Sequence, residues 1–452
     1  MASRLIESLA STEQLAELFS DDSVLRALLE FEVALAKVEA RLGIIPDSAA
    51  KSIAAAASPE AFDTIELSRK SLRAGTPSIP LVKALTEIVR SQDELATAFV
   101  HYGATSQDVS DTALMLLLKQ AQPLIEDDLA RCEKALRELS EQHRNTVMAG
   151  RTLLQAGPPT TLGLKAAGWL GAVRRGRERL AHAFTEALVI QFGGAVGTLA
   201  VLGENGPAVA KELAAELGLG CPDAPWHTQR DRLGSLICAC GVLTGSLGKI
   251  ARDVSLLMQN EVGELSEPTG EGRGGSSTMP HKRNPIGCTV TIAAATRGPG
   301  LVASYLTAMM QEHERSVGGS QSEWPTVAAI VQATGAAAAS IAEVAEGLSV
   351  DAARMRRNLN ETEGIVFAEK AVTLLAAKVG RERAHQRLEM AVRRVLEEKR
   401  SLPNVLGEMP EIMTILDKGT LQQLTVADDY LGSAESFRCA LLRANSSTLH
   451  KS

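Results

Sequence analysis

The sequence is poor in aromatic residues, has no basic excess and has no long apolar run. Of its 452 residues, only 3% are Phe, Trp or Tyr, and the net charge is −7. Because sheets favour aromatic and β-branched side chains, this composition favours helices built from Ala and Leu. The acidic balance argues against a nucleic-acid partner, since phosphates require a basic face. No stretch approaches the roughly 18 uninterrupted apolar residues of a membrane helix, so we expect no membrane partner.

The six cysteines do not form the pattern of a disulfide framework or a metal site. Cys238 and Cys240 are the only close pair, and their spacing matches neither a zinc ribbon nor a redox motif. The stretch from Met1 to Glu7 lacks the apolar core of a signal peptide. These features predict a cytoplasmic protein with reduced thiols.

Helical periodicity covers most of the chain and predicts an all-α fold. Apolar residues recur at helical spacing over residues 13–42, 109–143, 161–188, 231–264, 285–311 and 327–348. The segment 231–264 is apolar on most sides, which is typical of a helix buried in a bundle. We predict three domains: an N-terminal helical domain (1–108), a central long-helix bundle (109–350) and a C-terminal helical domain (351–452).

The first of three polar motifs is His101-Tyr-Gly-Ala-Thr105-Ser106-Gln107-Asp108. Thr105 and Asp108 have the spacing of a capping box before an apolar run, so the motif predicts the start of a helix. The N–H groups at a helix N-terminus attract carboxylates. His101, Thr105 and Ser106 are therefore candidate anion ligands, although a plain helix start would also explain the spacing.

The second motif, Gly150-Arg151-Thr152-Leu153-Leu154-Gln155, continues into Ala-Gly-Pro-Pro-Thr-Thr161. It connects two predicted helices, and its Pro159-Thr160-Thr161 end is typical of a helix entry. Arg151 and Gln155 could bind an anion, but they would fit a polar surface connector equally well.

The third motif joins a glycine-rich stretch to a helix start. Five glycines lie from 263 to 275, followed by Ser276-Ser-Thr-Met-Pro-His281-Lys282-Arg-Asn284-Pro285. No Gly-Lys-Ser/Thr closes the stretch and no strand precedes it, which argues against a Walker A or a dinucleotide loop. The glycines favour a flexible lid, and Asn284 with Pro285 predicts a helix N-terminus. A serine close to Lys282 and this helix end could have its alkoxide stabilised.

The third motif closely resembles the signature of the fumarase/aspartase superfamily. The first two resemble that superfamily's other site regions, in the same order, and nearly the whole chain is similar to its bacterial carboxymuconate-lactonising branch. Further similar segments are 79–83, 191–194, 226–232, 246–249, 311–316 and 350–358. The resemblance implies an all-α, three-domain subunit with a central long-helix bundle that assembles into a homotetramer. It also implies sites shared between subunits, and no metal or organic cofactor.

The predicted helix lengths agree with shared sites. A helix over residues 109–143 would be ~50 Å long at 1.5 Å per residue. The first and second motifs lie at its opposite ends, so within one chain they would be too far apart to contact one small molecule. They would meet only through neighbouring chains.

The resemblance implies a small-molecule tricarboxylate substrate, 3-carboxy-cis,cis-muconate, and its intramolecular lactonisation to 4-carboxymuconolactone in aromatic (protocatechuate) catabolism. Addition of a carboxylate to the conjugated double bond builds enolate charge, which needs fixed positive partners and a proton donor. By family analogy Ser276 is the general acid/base, and Lys282 with Asn284 would hold the enolate carboxylate, helped by the helix start at Pro285. The implied catalytic residues are Ser276, Lys282 and His101, and the implied substrate-binding residues are Thr105, Ser106, Arg151, Thr152, Gln155, Gln229, Arg230, His281 and Asn284.

Leu153 separates this chain from one branch of the superfamily. Amino-lyases such as adenylosuccinate lyase carry a His in the second motif, and Leu153 cannot handle a proton. An adenylosuccinate-type lyase is therefore a weaker alternative. A cycloisomerase for a substituted muconate, such as a sulfomuconate, stays open, as does a helical scaffold without activity, against which Ser276, Lys282 and Asn284 argue.

Overall fold

Helices dominate the protein. The computed structural model describes residues 5–270, 272–275, 278–279 and 281–443. Helices account for 69% of the chain, which confirms the all-α prediction.

The helices and strands follow one another in this order. The helices are α1 (Glu13–Leu18), α2 (Asp21–Arg41), α3 (Asp47–Ala56), α4 (Thr64–Ala74), α5 (Ser78–Gln92), α6 (Ser106–Gln142), α7 (Leu162–Ala187), α8 (Gly206–Leu217), α9 (Asp231–Leu257), α10 (Ile286–Ala308), α11 (Gly319–Glu346), α12 (Ala352–Asn360), α13 (Ala368–Val379), α14 (Arg381–Glu398), α15 (Leu402–Gly407), α16 (Pro410–Met413), α17 (Lys418–Leu424) and α18 (Ala434–Arg443). The strands are β1 (Val147–Thr152), β2 (Gln155–Thr161), β3 (Leu265–Ser266) and β4 (Ser349–Val350). The strands pair antiparallel, β1 with β2 and β3 with β4.

The long helices lie where the periodicity predicts them. The segment expected over 109–143 is α6, whose 37 residues correspond to about 55 Å of helix. The segment expected over 13–42 is divided into α1 and α2. The division falls at Ser20, because its hydroxyl accepts the N–H of Ser23 and caps the start of α2.

The described residues form two compact units. The first comprises 5–130, 175–249 and 289–341, and the second comprises 131–174, 250–288 and 342–443. The division into domains at residues 108 and 350 stays a prediction.

In the first unit, glycines spaced seven residues apart bring α9 and α10 close together. A Cβ at Gly234, Gly241 or Gly248 would lie 2.9, 2.6 or 2.5 Å from Met309, Val302 or Ala295, respectively. The order of these contacts runs antiparallel along the two helices. Since real Cβ atoms do not approach so closely, the helix packing requires glycine at these three positions.

Two helices are long and apolar enough to cross a membrane by length and composition alone. They are α9 and α11, of which 56% and 67% of the most apolar window are buried within the protein. Their inner positions, such as Leu243, Leu247, Ile330 and Ile341, are fully covered. This burial is typical of the core helices of a bundle.

In the second unit, the C-terminal helices share a core with the first strand. Val147 and Ala149 of β1 are buried in the same cluster as Leu375, Leu388 and Leu406. This packing anchors the hairpin that carries the second motif.

Candidate active site

The first motif lies at the start of α6, in the first unit. Thr105 immediately precedes the helix, and its backbone N–H donates to Asp108 Oδ2 at 3.0 Å. This hydrogen bond is one half of the predicted capping box. The Thr105 hydroxyl is turned to a different partner, the guanidinium of Arg315.

Arg315 holds both hydroxyls of this helix start. Its Nη1 donates to Thr105 Oγ1 at 2.8 Å, and its Nη2 lies 3.3 Å from Ser106 Oγ. The segment carrying Arg315 is tied down nearby, because Thr228 Oγ1 donates to the carbonyl of His313 at 2.8 Å. We call Thr105, Ser106 and Arg315 the Arg315 site. A guanidinium, two hydroxyls and a helix N-terminus form a suitable place for a carboxylate.

Asp108 fixes the backbone around the Arg315 site. It is fully buried, and its Oδ1 accepts the N–H of Gly193 at 3.1 Å and lies 2.7 Å from His227 Nε2. Its Oδ2 accepts the N–H of Gly194 at 2.9 Å in addition to that of Thr105. The turn before α6 is therefore held from several sides.

Arg230, predicted as an anion ligand, is instead the centre of a buried ion triad. Its guanidinium donates to both oxygens of Asp111, at 2.8 and 3.0 Å, and to Glu323 at 2.9 and 2.6 Å. It also lies over the Trp226 ring, and its carbonyl accepts the Tyr305 hydroxyl. Burial raises the pKa of Glu323, although the nearby guanidinium opposes the shift. The geometry assigns Arg230 to joining α6, α9, α10 and α11.

The other predicted residues of the first unit are His101 and Gln229. His101 Nδ1 lies 2.7 Å from Glu32 Oε1, in an ion pair with a buried carboxylate. The Gln229 side chain is exposed, beside Thr228. Both residues are in segments that adjoin the Arg315 site in sequence or through hydrogen bonds.

The second motif forms a β-hairpin, where the sequence suggested a connector with a helix entry. Thr152 and Gln155 pair across the strands, which leaves Leu153 and Leu154 as the two turn residues. Both leucines have positive φ angles, 50° and 66°. A two-residue turn with positive φ at both positions normally favours Asn or Gly, so this tip is strained.

The hairpin presents its predicted site residues together. Thr152 and Gln155 are exposed, and Leu153 is 97% exposed. Arg151 donates to both oxygens of Glu264, at 3.0 and 2.6 Å, and Asn358 donates to the same carboxylate at 2.7 Å. The Arg151 side chain is thus held in place at the base of an exposed tip.

The third motif lies in the second unit, and Ser276 falls outside the described residues. His281 and Lys282 are exposed. Asn284 closes the base of the loop, because its N–H donates to the Gly274 carbonyl at 2.9 Å. Gly274 has a φ of +67°, and a Cβ there would lie 2.7 Å from the Asn284 carbonyl oxygen, so glycine is required.

The helix start after this loop differs from the expected one. The helix begins at Ile286, and the N–H groups of Gly287 and Cys288 donate to the buried carboxylate of Glu267 at 3.0 and 2.8 Å. The helix end expected to help bind a substrate carboxylate is therefore occupied by a carboxylate of the same chain. Burial and Glu267 together raise the pKa of Cys288, which keeps this thiol protonated.

Each unit gathers its own predicted residues. Thr105 and Ser106 are brought together in the first unit, and Arg151, Thr152 and Gln155 share the hairpin in the second. Sequence reasoning missed Arg315, which lies in one of the similar segments, 311–316, but 210 residues from Thr105. Across the described ranges, no three His, Cys, Asp or Glu side chains are grouped as a metal site.

Comparison with known proteins places the chain in a family. A family model described as Lyase matches residues 8–300. The chain belongs to this lyase family. The match confirms the resemblance to the fumarase/aspartase superfamily. A second family model, Adenylosuccinate lyase C-terminus, matches residues 364–438 of this lyase-family chain.

The similarity to individual members of the lyase family extends over the whole chain. A 3-carboxy-cis,cis-muconate cycloisomerase from Pseudomonas aeruginosa is 48% identical over 96% of this chain and 95% of its own. A nitrosuccinate lyase from Streptomyces davaonensis is 42% identical over 92% of this chain and 89% of its own. The crystal structure of 3-carboxy-cis,cis-muconate lactonizing enzyme from Pseudomonas putida superposes with a TM-score of 0.90 at 44% identity, covering 97% of this chain and 98% of that one.

Proposed function

We propose that this chain catalyses the intramolecular lactonisation of 3-carboxy-cis,cis-muconate to 4-carboxymuconolactone. The observation that carries the proposal is the 48% identity, over 96% of the chain, to the Pseudomonas aeruginosa cycloisomerase. An identity of this level over the full length includes all three polar motifs.

The chemistry of the reaction matches the groups available. One substrate carboxylate adds to a double bond conjugated with another carboxylate, which takes up the negative charge as an enolate. The adjacent carbon then receives a proton. Catalysis therefore needs cationic or N–H partners for carboxylates and one proton donor, and the nucleophile belongs to the substrate.

The Arg315 site is the proposed binding point for one substrate carboxylate. Lys282 and Asn284 would hold the carboxylate that carries the enolate charge, and Ser276 would transfer the proton at the adjacent carbon. His101, Arg151, Thr152, Gln155, Gln229 and His281 are proposed as further ligands. Arg230 is omitted from the direct ligands because both of its buried partners are carboxylates of the protein.

The complete site is proposed to form between subunits of a homotetramer. Support comes from α6, whose 37 residues separate the Arg315 site from the hairpin along the chain. The 97% exposed Leu153 at the hairpin tip agrees with a tip that is covered in an assembly. We further propose that the enzyme is cytoplasmic and works without a metal or organic cofactor.

The direct test is turnover of 3-carboxymuconate by the purified protein in the presence of a metal chelator. We expect the ultraviolet absorbance of the conjugated diene to fall, with 4-carboxymuconolactone as the product. A sulfomuconate and adenylosuccinate should be processed far more slowly. Turnover of adenylosuccinate, but not of 3-carboxymuconate, would reject the proposal.

Nitrosuccinate is the second candidate substrate. The observation that favours it is the 42% identity to the nitrosuccinate lyase over 92% of the chain. The same assay series with nitrosuccinate distinguishes the two, since faster turnover of nitrosuccinate than of 3-carboxymuconate would reverse their order.

The Arg315 site leads to a prediction for substrate binding. Arg315→Ala should raise KM by about 10- to 100-fold with a smaller change in kcat, because a lost charge-assisted contact is worth about 1.5–3 kcal/mol. Arg315→Lys keeps the charge but loses the two-pronged geometry, so its KM should lie between those of the wild type and the Ala variant. Steady-state kinetics over a range of 3-carboxymuconate concentrations gives both constants. An unchanged KM in the Ala variant would remove Arg315 from the site.

A further inference from the structure

Two buried carboxyl groups lie on one face of α2. Glu32 and Glu39 are separated by seven residues, which corresponds to about two helical turns. Their exposed fractions are 1% and 0%. Buried acids are costly unless they are paired or neutral, so each requires an explanation.

Glu32 is explained by His101. Its Oε1 lies 2.7 Å from His101 Nδ1, which leaves Nε2 as the ring nitrogen that can serve a ligand. The His101 side chain is 18% exposed, so the ring extends from a buried carboxylate to the surface. A hydrogen bond at one ring nitrogen fixes the orientation of the other.

The backbone at His101 is also constrained. Its φ is 59°, in the left-handed region that few residues other than glycine adopt. The segment continues through Gly103, where a Cβ would lie 2.9 Å from Leu202 Cγ, to Thr105 of the Arg315 site. Strained positions of this kind are concentrated at functional sites.

Glu39 is explained as a neutral acid. Neither of its carboxyl oxygens has a hydrogen-bond partner among the described residues. Burial and the nearby Glu32 raise the pKa of Glu39 to about 8. Near neutral pH, therefore, Glu32 is the carboxylate on this face of α2 that carries the charge facing His101.

The balance of charges keeps His101 protonated. Burial lowers its pKa, but the charge and hydrogen bond of Glu32, with a smaller contribution from Asp108, outweigh burial and leave the pKa above its ordinary value. The charged or titratable groups around the ring are thus Glu32 and Glu39 from α2 and Asp108 from α6. Asp108 is itself bonded to His227 and to backbone N–H groups.

We infer that Glu32 is a positioning residue for the proposed reaction: it holds His101 as a fixed imidazolium whose Nε2–H binds a substrate carboxylate beside the Arg315 site. The inference rests on the proposed function for its choice of substrate. The contact between Glu32 and His101 does not depend on that choice, so the two can be tested separately.

The experiment compares Glu32→Gln with Glu39→Gln as its matched control. Both changes replace a buried acid by its neutral isostere on the same helix face, but only Glu32 contacts His101. Protonation of His101 is followed across pH by exchange of its Cε1 hydrogen for deuterium, read by mass spectrometry. Activity is followed as KM and kcat for 3-carboxymuconate across the same range.

In Glu32→Gln we expect the His101 titration to move to lower pH, because burial is no longer opposed by the carboxylate. We expect KM to rise as the pH increases, with a loss in kcat/KM of about tenfold near pH 8 and a smaller loss near pH 6, since each unit of pKa changes the protonated fraction up to tenfold. In Glu39→Gln both profiles should stay as in the wild type.

An unmoved His101 titration in Glu32→Gln would overturn the inference. A moved titration with an unchanged KM profile would also overturn it, because His101 would then have no part in binding. If the Gln variant does not fold, Glu32→Asp should show a smaller shift in the same direction, and no shift would again reject it. If the wild type does not turn over 3-carboxymuconate, the proposed function fails while the deuterium exchange still reports on Glu32.

Discussion

Ser276→Ala should lower kcat for 3-carboxymuconate by about 10²- to 10⁴-fold, the usual contribution of a positioned general acid or base. Proton transfer is needed only in the transition state, so KM should change little. The helical circular dichroism and the unfolding midpoint should stay close to those of the wild type. Stopped or continuous assays of diene absorbance measure the rate, and the two structural readouts exclude misfolding as the cause.

The neighbouring serine provides the matched control for this prediction. Ser277→Ala removes the same hydroxyl one residue further along the same loop. It should retain most of the activity if Ser276 carries the proton. Full activity in Ser276→Ala would contradict the assignment, and a reversed pattern would transfer the role to Ser277.

The long helices could be predicted because periodicity is a local property. Apolar spacing located α6, α7, α9, α10 and α11 to within a few residues at most ends, as expected when one face of a helix is buried. The start of α6 was also predictable, since Thr105 and Asp108 are only three residues apart.

The hairpin could not be predicted from its residues. Its strands lack the alternation of polar and apolar side chains, and its turn holds Leu153 and Leu154 in place of Asn or Gly. The tip is maintained by tertiary contacts, such as the burial of Val147 and Ala149 in the core of the second unit. Tertiary context here overrides local preference.

The polar contacts of the candidate site were also beyond the sequence, because they join distant segments. Arg315 is 210 residues from Thr105, and Glu267 caps a helix 20 residues further along at Gly287. No periodicity encodes such pairs. A single sequence identifies which residue types could bind an anion, whereas only the fold identifies which of them already bind one another.

Arg230→Met should destabilise the folded chain by about 3–5 kcal/mol, because it leaves two buried carboxylates without their counter-ion. Asp111 and Glu323 are both fully buried, so water cannot replace the guanidinium. The loss should appear as a lower midpoint of unfolding in urea. It should become smaller near pH 5, because both carboxylates are then more readily neutralised by protonation.

Arg41→Met provides the matched comparison. Arg41 also bridges two acids in the first unit, donating to Glu216 at 3.1 Å and to Glu212 at 3.0 Å, but its side chain is 48% exposed. Exposed pairs are worth about 0–1 kcal/mol, so this variant should unfold near the wild-type midpoint. Equal losses in the two variants would show that burial does not set the strength of the Arg230 triad. A large loss in Arg230→Met alone would show that the triad holds together the four helices behind the Arg315 site, and that Arg230 supports binding without contacting the substrate.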